Sequence, residues 1–238
     1  MTMNEATERT KWGTIDGVDV YFPVEVTNAN IATMTFTVPA DEAAKLLPGD
    51  AFEIVESGPG QANLVIAACD YIENPWGNYN EINFGLLARP KGSGPEVAGS
   101  FVYRMPVDQE FTCKAGNAVM GFPKTVEGIP TTYTATHVTF SLVFNGQQAL
   151  TMTVPRAEPM GDPAPIEAAT YSYLDGIAYE TPLLMDMGTG FVDGSQVEIE
   201  LGDGPVADEL RSLGLPKAPD FCTWGEGLRA TFQLGHPL

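Results

Sequence analysis

The sequence predicts a mainly β protein, a curved antiparallel sheet closing into a cone-like barrel with few short helices. Three observations carry this. Apolar and polar residues alternate with period two over most of the chain. The turn clusters between these runs are short and rich in Gly, Pro and Asn. Helical spacing is confined to two brief stretches. Roughly ten to twelve strands and two helices are expected, which favours a closed sheet over βαβ units.

In order, residues 17–26 and 31–38 read as strands joined by a turn at Thr27-Asn28-Ala29-Asn30. In the second, Ala32, Met34, Phe36 and Val38 share a face opposite three threonines. Asp41 is placed as N-cap of a short helix closed by Pro48-Gly49. Residues 51–56 and 62–73 are further strands, the latter apolar enough to be buried throughout. After the turn at residues 74–78, residues 79–89 put Ile82, Phe84, Leu86 and Ala88 on one face. Tyr79, Glu81, Asn83 and Arg89 fall on the other. Residues 97–105 form the next strand, and Cys113 is expected in a strand as a core thiol.

A long strand over residues 132–144 follows Gly128-Ile129-Pro130, and Asn145-Gly146 turns it into a hairpin with residues 147–154. Residues 155–165 form a loop inside one domain, which spans residues 15–238 after a polar tail over residues 1–14. Residues 168–174, 183–187 and 191–201 read as strands. Residues 205–213 form a helix with Val206, Leu210 and Leu213 on one stripe, ended by Gly214 and Pro216. An alternating strand over residues 228–234 closes the chain.

Composition narrows the function. A net charge of −19 argues against nucleic acid as a partner, because phosphate binding needs basic patches. No run of about 18 apolar residues offers a membrane span. The polar N-terminus and three cysteines without CxxC spacing predict reduced thiols and a cytoplasmic location. The two histidines, His137 and His236, share no metal-ligand spacing, so neither a metal site nor a cofactor is expected.

Two residues stand out. Lys124 follows Gly121-Phe122-Pro123 in an otherwise apolar segment flanked by Met120, Phe122 and Val126; the other five lysines sit in polar or turn-like surroundings. Burial penalises the ammonium form, so such an amine becomes a nucleophile able to condense with a ketone or aldehyde. The alternative is a packed stem whose head reaches water. Glu81 lies on the polar face of an alternating strand. If that face lines a barrel interior, its carboxylate can shuttle protons; otherwise the face is solvated.

The run 116–124, Gly-Asn-Ala-Val-Met-Gly-Phe-Pro-Lys, preceded by Met105-Pro106-Val107-Asp108, resembles the lysine motif of the acetoacetate decarboxylase family. Tyr79-Asn80-Glu81 is similar to that family's Tyr-x-Glu, and the likeness runs from about residue 15 to the C-terminus. The resemblance implies a cone-like β-barrel, an imine-forming Lys124, and Glu81 beside it. It also implies self-association into a homo-oligomer. A lysine activated by an apolar pocket is the activation described for acetoacetate decarboxylase itself.

The departures are specific. Thr125 replaces a second lysine, Asn117-Ala118 an Arg-Glu pair, and Ile66 a further glutamate; the arginine expected at residues 28–30 is missing. A counter-charge for an anionic substrate is left to Arg104 or Arg89. Arg104, Tyr79, Phe122 and Met120 are the expected substrate-binding residues around the catalytic pair Lys124 and Glu81. The expected activity is that of a lyase working through a Lys124 Schiff base on a 3-oxo acid or related carbonyl compound. A Schiff-base aldolase or dehydratase and a non-catalytic barrel for a small molecule are the alternatives.

Overall fold

The computed structural model describes residues 9–238. Of the expected tail, residues 1–8 lie outside the described residues, and Thr10 already begins a strand. β1 (Thr10–Ile15) and β2 (Val18–Phe22) form a hairpin turned at Asp16-Gly17, both with positive φ. Pro23 has no N–H to give to a ladder and marks the break before β3 (Val24–Pro39). Then come α1 (Ala40–Ala44), β4 (Phe52–Ile54), β5 (Glu56–Gly58), β6 (Gln61–Glu73), β7 (Tyr79–Pro90) and β8 (Gly99–Val107). α2 (Glu110–Met120) leads into β9 (Lys124–Val126), followed by β10 (Thr131–Tyr133), β11 (His137–Phe144) and β12 (Gln147–Pro155). The chain ends with β13 (Ala164–Leu174), β14 (Ile177–Met187), β15 (Gly190–Phe191), β16 (Glu198–Leu201), α3 (Pro205–Ser212), β17 (Phe221–Phe232) and β18 (His236–Pro237).

The main sheet runs β17-β3-β6-β7-β8-β13-β14, and β14 pairs back to β17. Seven strands thus close a barrel. It is mixed rather than purely antiparallel, because β8 pairs in parallel with both β13 and β9. The β8–β9 pairing needs a crossover, and α2 provides it. A second sheet, β10-β11-β12-β16, lies outside the barrel.

Both faces of the barrel wall are buried, for different reasons. Ala32, Met34, Phe36, Leu64, Ile66, Ile82, Phe84 and Leu86 point outward and pack against Val138, Phe140, Leu142, Leu150, Met152 and Val154 of the second sheet. α3 closes that layer with Val206, Leu210 and, just past its end, Leu213. The opposite residues of β3, β6 and β7 face the barrel interior. Period two makes this division unavoidable once one face is fixed.

Several sequence expectations change. Residues 27–30 are not a turn but part of β3. Asn30 spends its turn-forming amide elsewhere: its Oδ1 accepts from Gly227 N at 3.1 Å and its Nδ2 donates to the Tyr133 hydroxyl at 3.2 Å. Asp41 lies in the first turn of α1 rather than capping it; Pro39 holds the cap position. The long strand expected over residues 132–144 folds back at Thr134, whose hydroxyl accepts from Thr136 N and His137 N. Residues 191–201 split between two sheets at a turn capped by Asp193, whose Oδ1 accepts from Ser195 N at 2.9 Å. Cys113 sits in α2, not in a strand.

Candidate active site

α2 was not foreseen because Thr, Cys, Gly, Asn and Val are indifferent or poor helix formers. Its signal is positional. Thr112, Ala115, Gly116, Val119 and Met120 are its buried residues, at helical spacing, and Gln109 caps the N-terminus by accepting from Thr112 N at 2.6 Å. Gly121 ends the helix at φ +64°, where a Cβ would also lie 2.3 Å from Tyr173 O. Phe122 N donates back to Gly116 O, so the chain reverses tightly and Lys124 enters β9 beside Met105 of β8.

Lys124 then folds its stem over Gly116. A Cβ at Gly116 would stand 2.6 Å from Lys124 Cδ and 2.7 Å from Cε, so only glycine leaves room for the stem there. The backbone of Lys124 is fixed as well: its carbonyl accepts from Asn117 Nδ2 at 3.0 Å and from Cys113 Sγ at 3.4 Å.

The amine is buried, with its side chain 4% exposed against 5% for Glu81. Nζ lies 2.7 Å from Glu81 Oε2 and 3.3 Å from Thr112 Oγ1, and 5.2 Å from the centre of the Tyr79 ring. Tyr79 and Tyr71 stack at 4.6 Å beside the pair. Burial pushes both phenols, and the Cys69 thiol, well above their ordinary values. These neighbours therefore stay protonated at neutral pH. Moving one proton between Nζ and Oε2 leaves the net charge of the pair at zero, so the low-dielectric surroundings allow a neutral amine without creating an isolated charge.

The pair opens on a cavity of about 460 Å³ inside the barrel. That is room for a molecule well beyond a few carbons. Its wall is largely apolar, with Val26, Ile31, Val65, Ala67, Leu183 and Phe232 among the lining residues. Tyr79, Met120 and Phe122 line it too, so the structure brings these three together with Lys124 and Glu81. Thr112, Gly116 and Trp76 were missed in the sequence.

Arg104 is not brought there, which corrects the expectation that it binds substrate. It alternates with Met105, so when Met105 faces the cavity Arg104 faces the opposite side of β8. Its guanidinium pairs with Glu209 of α3 at 2.8 Å and lies over the Phe144 ring. Arg89 is bound to Glu53 on the neighbouring β4, at 2.7 Å. Neither supplies a counter-charge. Ile66 is in the outer core, and Asn117, Ala118 and Thr125 face solvent. Lys124 is the one cation among the described residues that line the cavity, which also carries Glu81 and Glu167.

Among the described residues no helix is long and apolar enough to cross a membrane, and no cluster of His, Cys, Asp and Glu could hold a metal ion.

No curated protein matches the chain in sequence. Solved structures do match in fold. Acetoacetate decarboxylase from Legionella pneumophila superposes with a TM-score of 0.66 at 15% identity, over 91% of this chain and 87% of that one. MppR, an enduracididine biosynthesis enzyme solved in complex with pyruvate, gives 0.60 at 15% identity over 93% of both chains. An acetoacetate decarboxylase-like enzyme from Sphingomonas wittichii RW1 also gives 0.60 at 15% identity, over 94% of this chain and 97% of that one. At this identity the superpositions speak for the fold. The sequence model of acetoacetate decarboxylase matches residues 6–220, nearly the whole chain, and the protein belongs to the acetoacetate decarboxylase family.

Proposed function

We propose that the protein is a lyase that forms an imine between Lys124 and a carbonyl substrate, then breaks the carbon–carbon bond next to it. One observation carries this reading: a buried amine, held 2.7 Å from a buried carboxylate, at the wall of an apolar cavity. Glu81 takes a proton from the ammonium, the amine attacks the carbonyl, and Glu81 returns the proton to the departing hydroxyl. The resulting iminium is the electron sink. In a 3-oxo acid, the electrons of the carboxyl bond flow into it and carbon dioxide leaves, a loss of charge favoured by apolar walls. The enamine is then protonated and water releases the ketone.

A second outcome on the same imine has a specific observation in its favour. With Lys124 the one cation among the described residues that line the cavity, a β-hydroxy carbonyl compound fits its charge better than a carboxylate does. The leaving group is then an aldehyde, or water when the hydroxyl is lost by dehydration. Reduction with borohydride in the presence of simple ketones and aldehydes, followed by peptide mass mapping, tests the shared step. An adduct on Lys124 is expected. A protein that leaves every carbonyl unreduced at Lys124 is a binding barrel, and the proposal is wrong. Carbon dioxide release from 3-oxo acids then separates the two outcomes.

A further inference from the structure

Resting on the imine reading, we propose that the substrate is uncharged and carries a hydroxyl or carbonyl oxygen held by Asn83 and Ser100. Asn83 follows Glu81 by two residues on β7 and projects into the same cavity, about 7 Å further along the strand. Ser100 lies over Gly85: a Cβ there would stand 2.1 Å from Ser100 Oγ and 3.6 Å from Asn83 Oδ1. The two polar groups converge above the bare Cα of Gly85. Both line the cavity, and neither side chain has a hydrogen-bond partner among the described residues. Both are half-buried and open onto the cavity, where a ligand oxygen can bond to them.

A neutral amide and a hydroxyl recognise hydrogen-bonding groups, not charge. Among the described residues Lys124 is the single cation at the wall, and once it is an iminium its charge is balanced by Glu81. A substrate carboxylate would enter beside Glu81 and Glu167, against a chain of net charge −19, with no counter-charge left among the described residues. The hydroxyl of a β-hydroxy ketone lies about three bonds from the reacting carbonyl carbon, short of the roughly 7 Å between Glu81 and Asn83 along the strand, so it stands between the two side chains and both can reach it. A β-hydroxy ketone meets both demands. On the Lys124 iminium, Glu81 removes the hydroxyl proton and the carbon–carbon bond breaks. Its electron pair enters the iminium to give an enamine, and an aldehyde leaves. Protonation of the enamine and addition of water return the shortened ketone and the free amine.

Initial rates of cyanoborohydride trapping at Lys124 test this, with 4-hydroxybutan-2-one, butan-2-one and 4-oxopentanoate as probes. The hydroxy ketone should label about 3- to 10-fold faster than butan-2-one, the value of one neutral hydrogen bond. It should exceed the anionic 4-oxopentanoate by at least about 10-fold. Asn83→Leu and Ser100→Ala should bring the hydroxy ketone down to the rate of butan-2-one. The hydroxy ketone is compared with butan-2-one within each variant, and circular dichroism checks that the variants fold. Equal or faster labelling by 4-oxopentanoate overturns the inference while leaving the imine intact, as does a preference that survives both substitutions. If no probe labels Lys124, the imine reading fails and this inference fails with it.

Discussion

Replacing Glu81 with Gln keeps the shape of the side chain and removes its charge, which leaves Lys124 as a buried amine with no counter-ion. Both partners are about as inaccessible as core residues, at 4% and 5% side-chain exposure, so solvent screens little of the loss. Breaking a buried pair from one side costs about 3–5 kcal/mol. For a chain of this length that corresponds to a fall in Tm of roughly 6–20 °C. Lys124→Met removes the other partner and every possibility of an imine. Because the cost of each single change is a stranded partner, the double variant should be less destabilised than the sum, by about 2–3 kcal/mol. Denaturant unfolding of the four proteins measures that difference directly. Additivity to within about 0.5 kcal/mol would mean that the two groups do not depend on each other, and the proton-exchange scheme would have no basis.

Gly116→Ala should gain helix propensity yet displace the Lys124 stem; borohydride trapping should fall at least about 10-fold while the fold persists, as seen by circular dichroism. Gly121→Ala meets both a left-handed φ and the Tyr173 carbonyl, and should cost about 3 kcal/mol or more, read as a lowered denaturation midpoint. Arg104→Met should weaken the tie to α3 but leave the trapping rate at Lys124 within about twofold; a collapse of trapping would return Arg104 to the site. Hydrogen bonding from Arg156 holds the Glu226 carboxyl below its ordinary value of 4.5. Its stabilisation is therefore complete above pH 4.5 and lost as pH falls through the lower folded value. Glu226→Gln should remove that part of the acid dependence, about 1 kcal/mol or less for so exposed a pair, measured by urea titrations between pH 3 and 6.

Much of this was legible in the residues. Alternation in the second half of β3 and in β7 gave the two faces, the apolar run of β6 its burial, Asn145-Gly146 the β11–β12 hairpin, and Val206, Leu210 and Leu213 the buried stripe of α3. Lys124 stood out as a lysine among apolar neighbours, and Glu81 as an acid on a patterned strand. Local side-chain bonds hid other features. The Asn30 amide serves Gly227 and Tyr133 instead of a turn, and Thr134 bends a run that looks continuous.

The sequence alone determined which residues of each strand share a face, because side chains alternate whatever the strand packs against. It could not say which face would be cavity and which core, since closure of the barrel and docking of the second sheet bury both. Tertiary structure made that choice. It turned Glu81 inward to meet an amine carried in on β9, behind an unforeseen helix, and sent Arg104, one residue out of phase with Met105, to the far side of the wall.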